Sequence, residues 1–359
     1  MKFSEHITSF ITRLVLLFVW GVLIIFFLYS PRLSNVLFQP AQTINIFIFP
    51  RVLDARVLTD FEQETGIKVH VSYYENNDEL LVKIRQTQGE GYDLIFPSDY
   101  LVDTLRQEGL LQRLDKTKLD FFDDIHPALL HHYFDPNNEY SIPYFWGLAG
   151  IGIDKKFFHG KSLPSSWAAL FNEQQIYYTV GMVNNAREAV LLAAFYLFGA
   201  IDNLSAMQLA RVQELLLKQK KWVQAYTDLA PDYLLQTGSC PVAQAISSDI
   251  LQLAKADPSF AFVIPQEGTF MIIDAAAIPI KSQKAHLVYK LLNYLYKPEV
   301  LLYHVNKFAL FPPLVKGRLQ QTQEAHIFNS IQHLTKIEFF RNVLSEKTVQ
   351  ELWLKLKAS

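Results

Sequence analysis

Three polar side chains arrive together at Ser98, Asp99 and Tyr100, directly after the apolar run Leu94-Ile95-Phe96 and a proline. That run is too short for a helix and too apolar for an exposed strand, so it reads as a strand covered on both faces. Pro97 ends the ladder by withholding an N–H. Ser98 and Asp99 can then cap the helix suggested by Leu101, Leu105 and Leu110, which sets Ser98 and Tyr100 near a helix N-terminus at a strand's carboxyl edge. In open α/β sheets ligands sit at that edge. A capped turn with no ligand is the competing reading, because caps of this type are common. Two carboxylates fall in comparable settings, Glu188 in the first turn of a helix and Asp274 directly after Met271-Ile272-Ile273. The competing reading is that Glu188 only complements a helix dipole, worth about 0.3 to 1 kcal/mol, and that Asp274 only caps a turn. A carboxylate following so apolar a run needs a partner if it is buried, which makes Asp274 the better binding candidate.

Bond-making chemistry has little support. No Gly-x-Ser-x-Gly elbow surrounds Ser98, and neither a glycine-rich phosphate loop nor a His-Glu-x-x-His is present. His131 and His132 are adjacent, so on one element they point apart and would need distant partners to hold a metal. Asp135-Pro136-Asn137-Asn138-Glu139 has the composition of a calcium loop without its spacing or glycine, and a turn explains it. The expectation is therefore a protein that is not an enzyme, with no cofactor and no metal. A net charge of -2 over 359 residues argues against a nucleic-acid partner, and the single Cys240 excludes an internal disulfide.

These residues need a scaffold, and the chain is long enough for two domains. Residues 14–29 carry no charge and follow Lys2 and Arg13. At 1.5 Å per residue they span about 24 Å against a hydrocarbon core of about 30 Å. The flank Leu28-Tyr29-Ser30-Pro31-Arg32 lacks a small-x-small cleavage pattern, so an uncleaved signal-anchor is favoured, with the chain after about residue 35 exported. Beyond it, Ile44, Ile46 and Ile48 mark a first strand, and Val57, Leu58 and Phe61 a helix closed by Gly66. Ile67, Val69 and Val71 mark a second strand, and Asn76 to Asp78 cap a helix at 79–88. Strands alternating with helices in this way predict βαβ units and a mainly parallel sheet.

Tyr140-Ser141-Ile142-Pro143-Tyr144 followed by Gly147, Gly150 and Gly152 reads as an extended crossover with flexible joints, or as a strand with glycine bulges. A strand at 177–183 hands over to Asn184-Asn185 as a cap for a helix at 189–198, and a helical pair is expected at 205–229. Further strands are expected at 243–246, 260–264 and 270–273, the last ended by Asp274. Helices are expected at 249–255, at 285–296, after Pro298 and at 349–356.

Several blocks resemble the spermidine/putrescine-binding proteins of bacterial ABC importers. They are Phe61-Glu62-Gln63-Glu64-Thr65-Gly66-Ile67-Lys68-Val69, Tyr92 to Tyr100, and Asp135-Pro136-Asn137-Asn138-Glu139-Tyr140-Ser141-Ile142-Pro143-Tyr144. The likeness continues through Trp167-Ala168-Ala169-Leu170, Asn185-Ala186-Arg187-Glu188, Pro265-Gln266-Glu267-Gly268 and Asp274-Ala275-Ala276-Ala277-Ile278-Pro279. It implies an α/β, two-lobed periplasmic solute-binding protein of type II-like architecture, with chain crossovers and an interdomain cleft that closes by a hinge. After a leader of residues 1–42, one lobe is expected from 43–146 plus 274–318 and the other from 147–273 plus 319–359. The resemblance places Ser98, Tyr100, Glu188 and Asp274 along a polyamine cleft, where carboxylates meet ammonium groups and aromatic rings sheath the methylenes.

This chain departs from that pattern. Asn185 stands where the family has an acid, and Phe49, Ile246 and Ile272 stand where it has tryptophans. Val52 and Leu310 replace tyrosines. Phe49 keeps a ring, and Phe308, Phe311, Trp146 and Tyr144 are either replacement rings or core. Ligand binding is thus expected at Ser98, Tyr100, Glu188, Asp274, Phe49 and Asn185. The implied function is an extracytoplasmic receptor, monomeric, that captures a small cationic polyamine and delivers it to an inner-membrane ABC permease. The alternatives are the same receptor with a less cationic ligand, and a tethered interaction module with a degenerate cleft.

Overall fold

A computed structural model describes residues 15–21, 24, 42–227, 231–314, 319 and 336–359. In chain order its strands are β1 (Thr43–Ile48), β2 (Lys68–Tyr73), β3 (Leu94–Ile95), β4 (Ser141–Asp154) and β5 (Val180–Val183). They continue as β6 (Val223–Thr227), β7 (Val242–Ile246), β8 (Phe260–Val263), β9 (Thr269–Ala277) and β10 (Ile337–Phe339). β1 pairs in parallel with both β2 and β3, as the alternation of strands and helices predicts. The connecting helices are bounded by the residues expected to bound them. Helix Ala55–Thr65 ends at Gly66, whose φ of 72° is the left-handed conformation that glycine adopts without a Cβ penalty. Helix Asn77–Thr87 starts at Asn76, whose side chain accepts from the Glu79 N–H at 3.0 Å.

β4 and β9 form the spine. Along its first half β4 runs antiparallel to β9, from Ser141 opposite Ala277 to Leu148 opposite Met271. From Ala149 onward it turns to β7, and at Ile151 to Asp154 also to β8. The order β2-β1-β3-β9-β4-β7-β5-β6 is therefore two half-sheets sharing one continuous strand, with β10 on β9 and β8 on β4. Each half-sheet carries its own helices, which gives two lobes with a cleft where β4 passes from one to the other.

Four expectations need correction. The glycines of β4 are not flexible joints. A Cβ at Gly150 would lie 2.5 Å from Phe262 Cζ and 2.7 Å from the Val263 carbonyl oxygen, and one at Gly152 2.6 Å from Ile250, so glycine is required by close packing inside a strand. The described part of 205–229 is one helix, Ala206–Gln219, a short 3-10 turn and then β6, because Val223, Ala225 and Thr227 supply a strand that pairs with β5. The strand expected from residue 177 begins only at Val180. Asp274 does not end its strand: β9 runs on to Ala277, since Ala275, Ala276 and Ala277 pair with Pro143, Ile142 and Ser141 of β4. The expected signal-anchor at residues 14–29 lies outside the described residues, apart from 15–21 and 24. No helix among the described residues is long and apolar enough to cross a membrane.

Candidate functional site

Loops at the carboxyl ends of β1 and β3, the middle of β9 and the first turns of two helices after β5 and β7 converge on one cavity of about 160 Å³. A water needs about 10 to 15 Å³ of such space, so a chain of several heavy atoms fits. All six residues expected to bind a ligand line it: Phe49, Ser98, Tyr100, Asn185, Glu188 and Asp274.

Ser98 occupies the N-cap position of helix Asp99–Gln107 but makes no side-chain capping bond. Its hydroxyl instead donates to Asp274 Oδ1 at 2.8 Å and receives Asn77 Nδ2 at 3.0 Å. A capping hydroxyl accepts a backbone N–H, and here the acceptor role goes to the Asn77 amide while the O–H makes a charge-assisted bond to Asp274. Burial pushes the Asp274 carboxyl up to about 6, and the Ser98 hydrogen bond pulls the other way. Asp99 also departs from a capping role. It is buried, and its carboxylate accepts from the Ile273 N–H and the Tyr133 hydroxyl, both at 2.9 Å, which ties this helix to β9 beside Asp274. Burial raises its pKa to about 7 against those hydrogen bonds.

On the other lobe, helix Ala186–Phe198 starts three residues earlier than its apolar pattern suggests, and Asn185 is its cap, accepting from the Glu188 N–H at 3.1 Å. The Asn185 amide also donates to the Tyr100 hydroxyl at 3.4 Å. Both ends of this carboxamide are therefore engaged within the protein, and its part is to hold Tyr100 across the cleft. The Arg187 guanidinium lies 5.4 Å from the centre of the Tyr100 ring. Burial, followed by the Glu188 charge, raises the Tyr100 phenol pKa, so it stays a neutral donor and acceptor.

The walls carry the sequence's departures. Val52, Ile246, Ile272 and Leu310 all line the same cavity as Phe49. Of the rings that could replace lost ones, Phe308 and Trp146 line it, whereas Tyr144 and Phe311 are fully buried core. Sequence reasoning also missed Asp249, in the first turn of helix Ser247–Ala256. A signal for it existed: Ser247-Ser248-Asp249 follows buried β7 much as Pro97-Ser98-Asp99 follows β3. Burial raises the Asp249 carboxyl to about 6, with the Arg51 charge opposing. Among the described residues, Glu75, Asp99, Glu188, Asp249 and Asp274 line the cavity against the single cation Arg51. Such an arrangement attracts a cation.

Residues 56–325 match the profile of a family described as bacterial extracellular solute-binding protein. The chain is 28% identical over 322 residues to a spermidine/putrescine-binding periplasmic protein of Salmonella typhimurium, covering 88% of this chain and 92% of that one. It is 31% identical over 259 residues to the protein of the same description from Escherichia coli, covering 72% and 74%. Its fold superimposes with a TM-score of 0.73 on a spermidine/putrescine ABC transporter substrate-binding protein of Streptococcus pneumoniae, at 24% identity over 88% of this chain and 99% of that one.

Proposed function

The chain belongs to the bacterial extracellular solute-binding proteins, and from that premise we propose that it captures a polyamine-like cation and presents it to an ABC permease. The observation that carries the ligand class is the acidic lining of the interlobe cavity, which Asp274, held by Ser98, shares with Glu188 and Tyr100. Amine capture also fits the relatives, which are spermidine/putrescine-binding periplasmic proteins. The receptor binds and releases, and makes no bond. The lobe boundaries proposed are residues 43–146 plus 274–318 and 147–273 plus 319–359. The handover of β4 from β9 to β7 at Leu148 and Ala149 supports the first of them.

Thermal unfolding with putrescine and spermidine tests the reading. At about 100 times Kd a ligand stabilises the native state by about 2.7 kcal/mol, so a clear rise in melting temperature is expected. No rise at millimolar amine removes the polyamine version. One observation favours a second reading, a receptor for a less cationic amine: Ile246, Ile272, Val52 and Leu310 make the walls aliphatic. Each missing cation-π contact forgoes roughly 0.5 to 2 kcal/mol.

Export and tethering are assigned to residues 14–29, uncharged and preceded by Lys2 and Arg13. The expected outcome is that the chain stays with inner membranes through alkaline extraction. Full release into the soluble fraction would show that the segment does not anchor it.

A further inference from the structure

Arg51 is the one cation among the described residues lining the cavity, and its backbone sits at φ 65°, a conformation uncommon outside glycine and asparagine. The guanidinium spans from the lobe of β1 to helices of the other lobe. Nη1 donates to Asp232 Oδ2 at 3.1 Å, and Nη2 to Gln252 Oε1 at 2.6 Å. Gln252 is itself anchored, its amide donating to the Lys307 carbonyl at 2.9 Å. Asp249 precedes Gln252 by three residues in the same helix and so shares its face. Its carboxylate accepts no hydrogen bond from the described residues and lies within the field of the Arg51 charge. The end of the cavity lined by Asp249 is thus already supplied with a positive group from the protein itself, a guanidinium held by Asp232 and Gln252.

We propose that Arg51 takes the place of a ligand ammonium group at this end of the cleft, so that the site favours amines of low charge over longer polycations. The inference rests on the amine-capture reading. A second or third ammonium reaching toward Asp249 meets the guanidinium, whose charge repels it and already answers that carboxylate electrostatically. A first ammonium at Asp274 and Glu188 has no further cation beside it among the described residues of the cavity lining, since Arg187 lies against the Tyr100 ring outside that lining.

Calorimetric titration of the full chain with putrescine and spermidine at constant ionic strength tests this. The unaltered protein is expected to bind spermidine no more tightly than putrescine. Arg51→Asn keeps a residue type that tolerates the left-handed backbone, removes the charge, and is expected to raise the spermidine-to-putrescine affinity ratio at least tenfold. Arg51→Lys retains the charge and should leave the ratio within threefold of the original. The Arg51 side chain is 41% exposed, and partly exposed ion pairs contribute little to stability, so the variants are expected to fold. An unmoved ratio in Arg51→Asn, or an unaltered protein that already prefers spermidine tenfold, overturns the inference while amine capture stands. Binding of neither amine by the unaltered chain overturns both.

Discussion

Asp274→Asn is expected to weaken amine binding by about two to four orders of magnitude without lowering the melting temperature of the ligand-free protein. The change keeps the shape and one oxygen, so Ser98 retains an acceptor where it now donates at 2.8 Å. What disappears is the charge opposite an ammonium group in a partly desolvated site, and removing one partner of such a pair costs about 3 to 5 kcal/mol. Stability should respond differently. The carboxyl is raised to about 6 because burial disfavours its ionised form, so a neutral amide relieves an unfavourable charge in the empty site. Calorimetry and a thermal melt on the same preparation check both parts. Affinity equal to that of the unaltered protein would show that Asp274 does not hold the ligand. A large fall in melting temperature would show that its role is structural.

Much of the scaffold can be read locally because its signals are local. Gly66 closes a helix through its own backbone, and Asn76 and Asn185 cap helices within three residues of themselves. The turn at Asp135 is equally self-contained, its carboxylate accepting from the N–H groups of Glu139, Tyr140 and Ser141. The misreadings arise where a distant partner decides. Ser98 looks like a cap until Asn77 occupies its oxygen and Asp274, 176 residues away, takes its O–H. Asp274 looks like a strand terminator because a charge after three apolar residues is locally unfavourable, yet the pairing of Phe145 opposite it carries β9 onward. The glycines of β4 suggest flexibility, and only Phe262, Val263 and Ile250 reveal that they are places of close approach.

The site divides in the same way. Ser98, Tyr100 and Glu188 carry local marks of strand ends and helix starts. Val52, Ile246, Ile272 and Leu310 carry none, and only resemblance to a family brought these scattered positions into one wall. Arg51 shows no local sign of importance, since its partners Asp232 and Gln252 lie 181 and 201 residues further along the chain. That contact changes the meaning of the acidic lining: the cleft is not an undivided negative surface, because one end is already answered by a guanidinium.

Ligand-induced stabilisation is expected to grow by at least a tenfold change in affinity between pH 5 and pH 7, while the ligand-free protein loses stability over the same interval. Both trends follow from the buried carboxyls. Asp274 and Asp99 are raised from the ordinary 3.8 to about 6 and about 7. Between the ordinary and the raised values the folded chain holds protons that the unfolded chain has released. Unfolding stability therefore falls as pH rises through that window. An ammonium ligand binds the ionised carboxylate and remains charged itself throughout, its pKa being about 10. For a carboxyl near 6 the ionised fraction climbs from about one tenth at pH 5 to about nine tenths at pH 7, which sets the tenfold change. Any coupled deprotonation of Asp99, hydrogen-bonded to Ile273 beside Asp274, steepens it. Melting curves with and without putrescine at pH 5, 6, 7 and 8, at one ionic strength, provide the measurement. A ligand-induced shift that is flat across this range, or greatest at pH 5, would mean that the ammonium group does not meet these carboxyls.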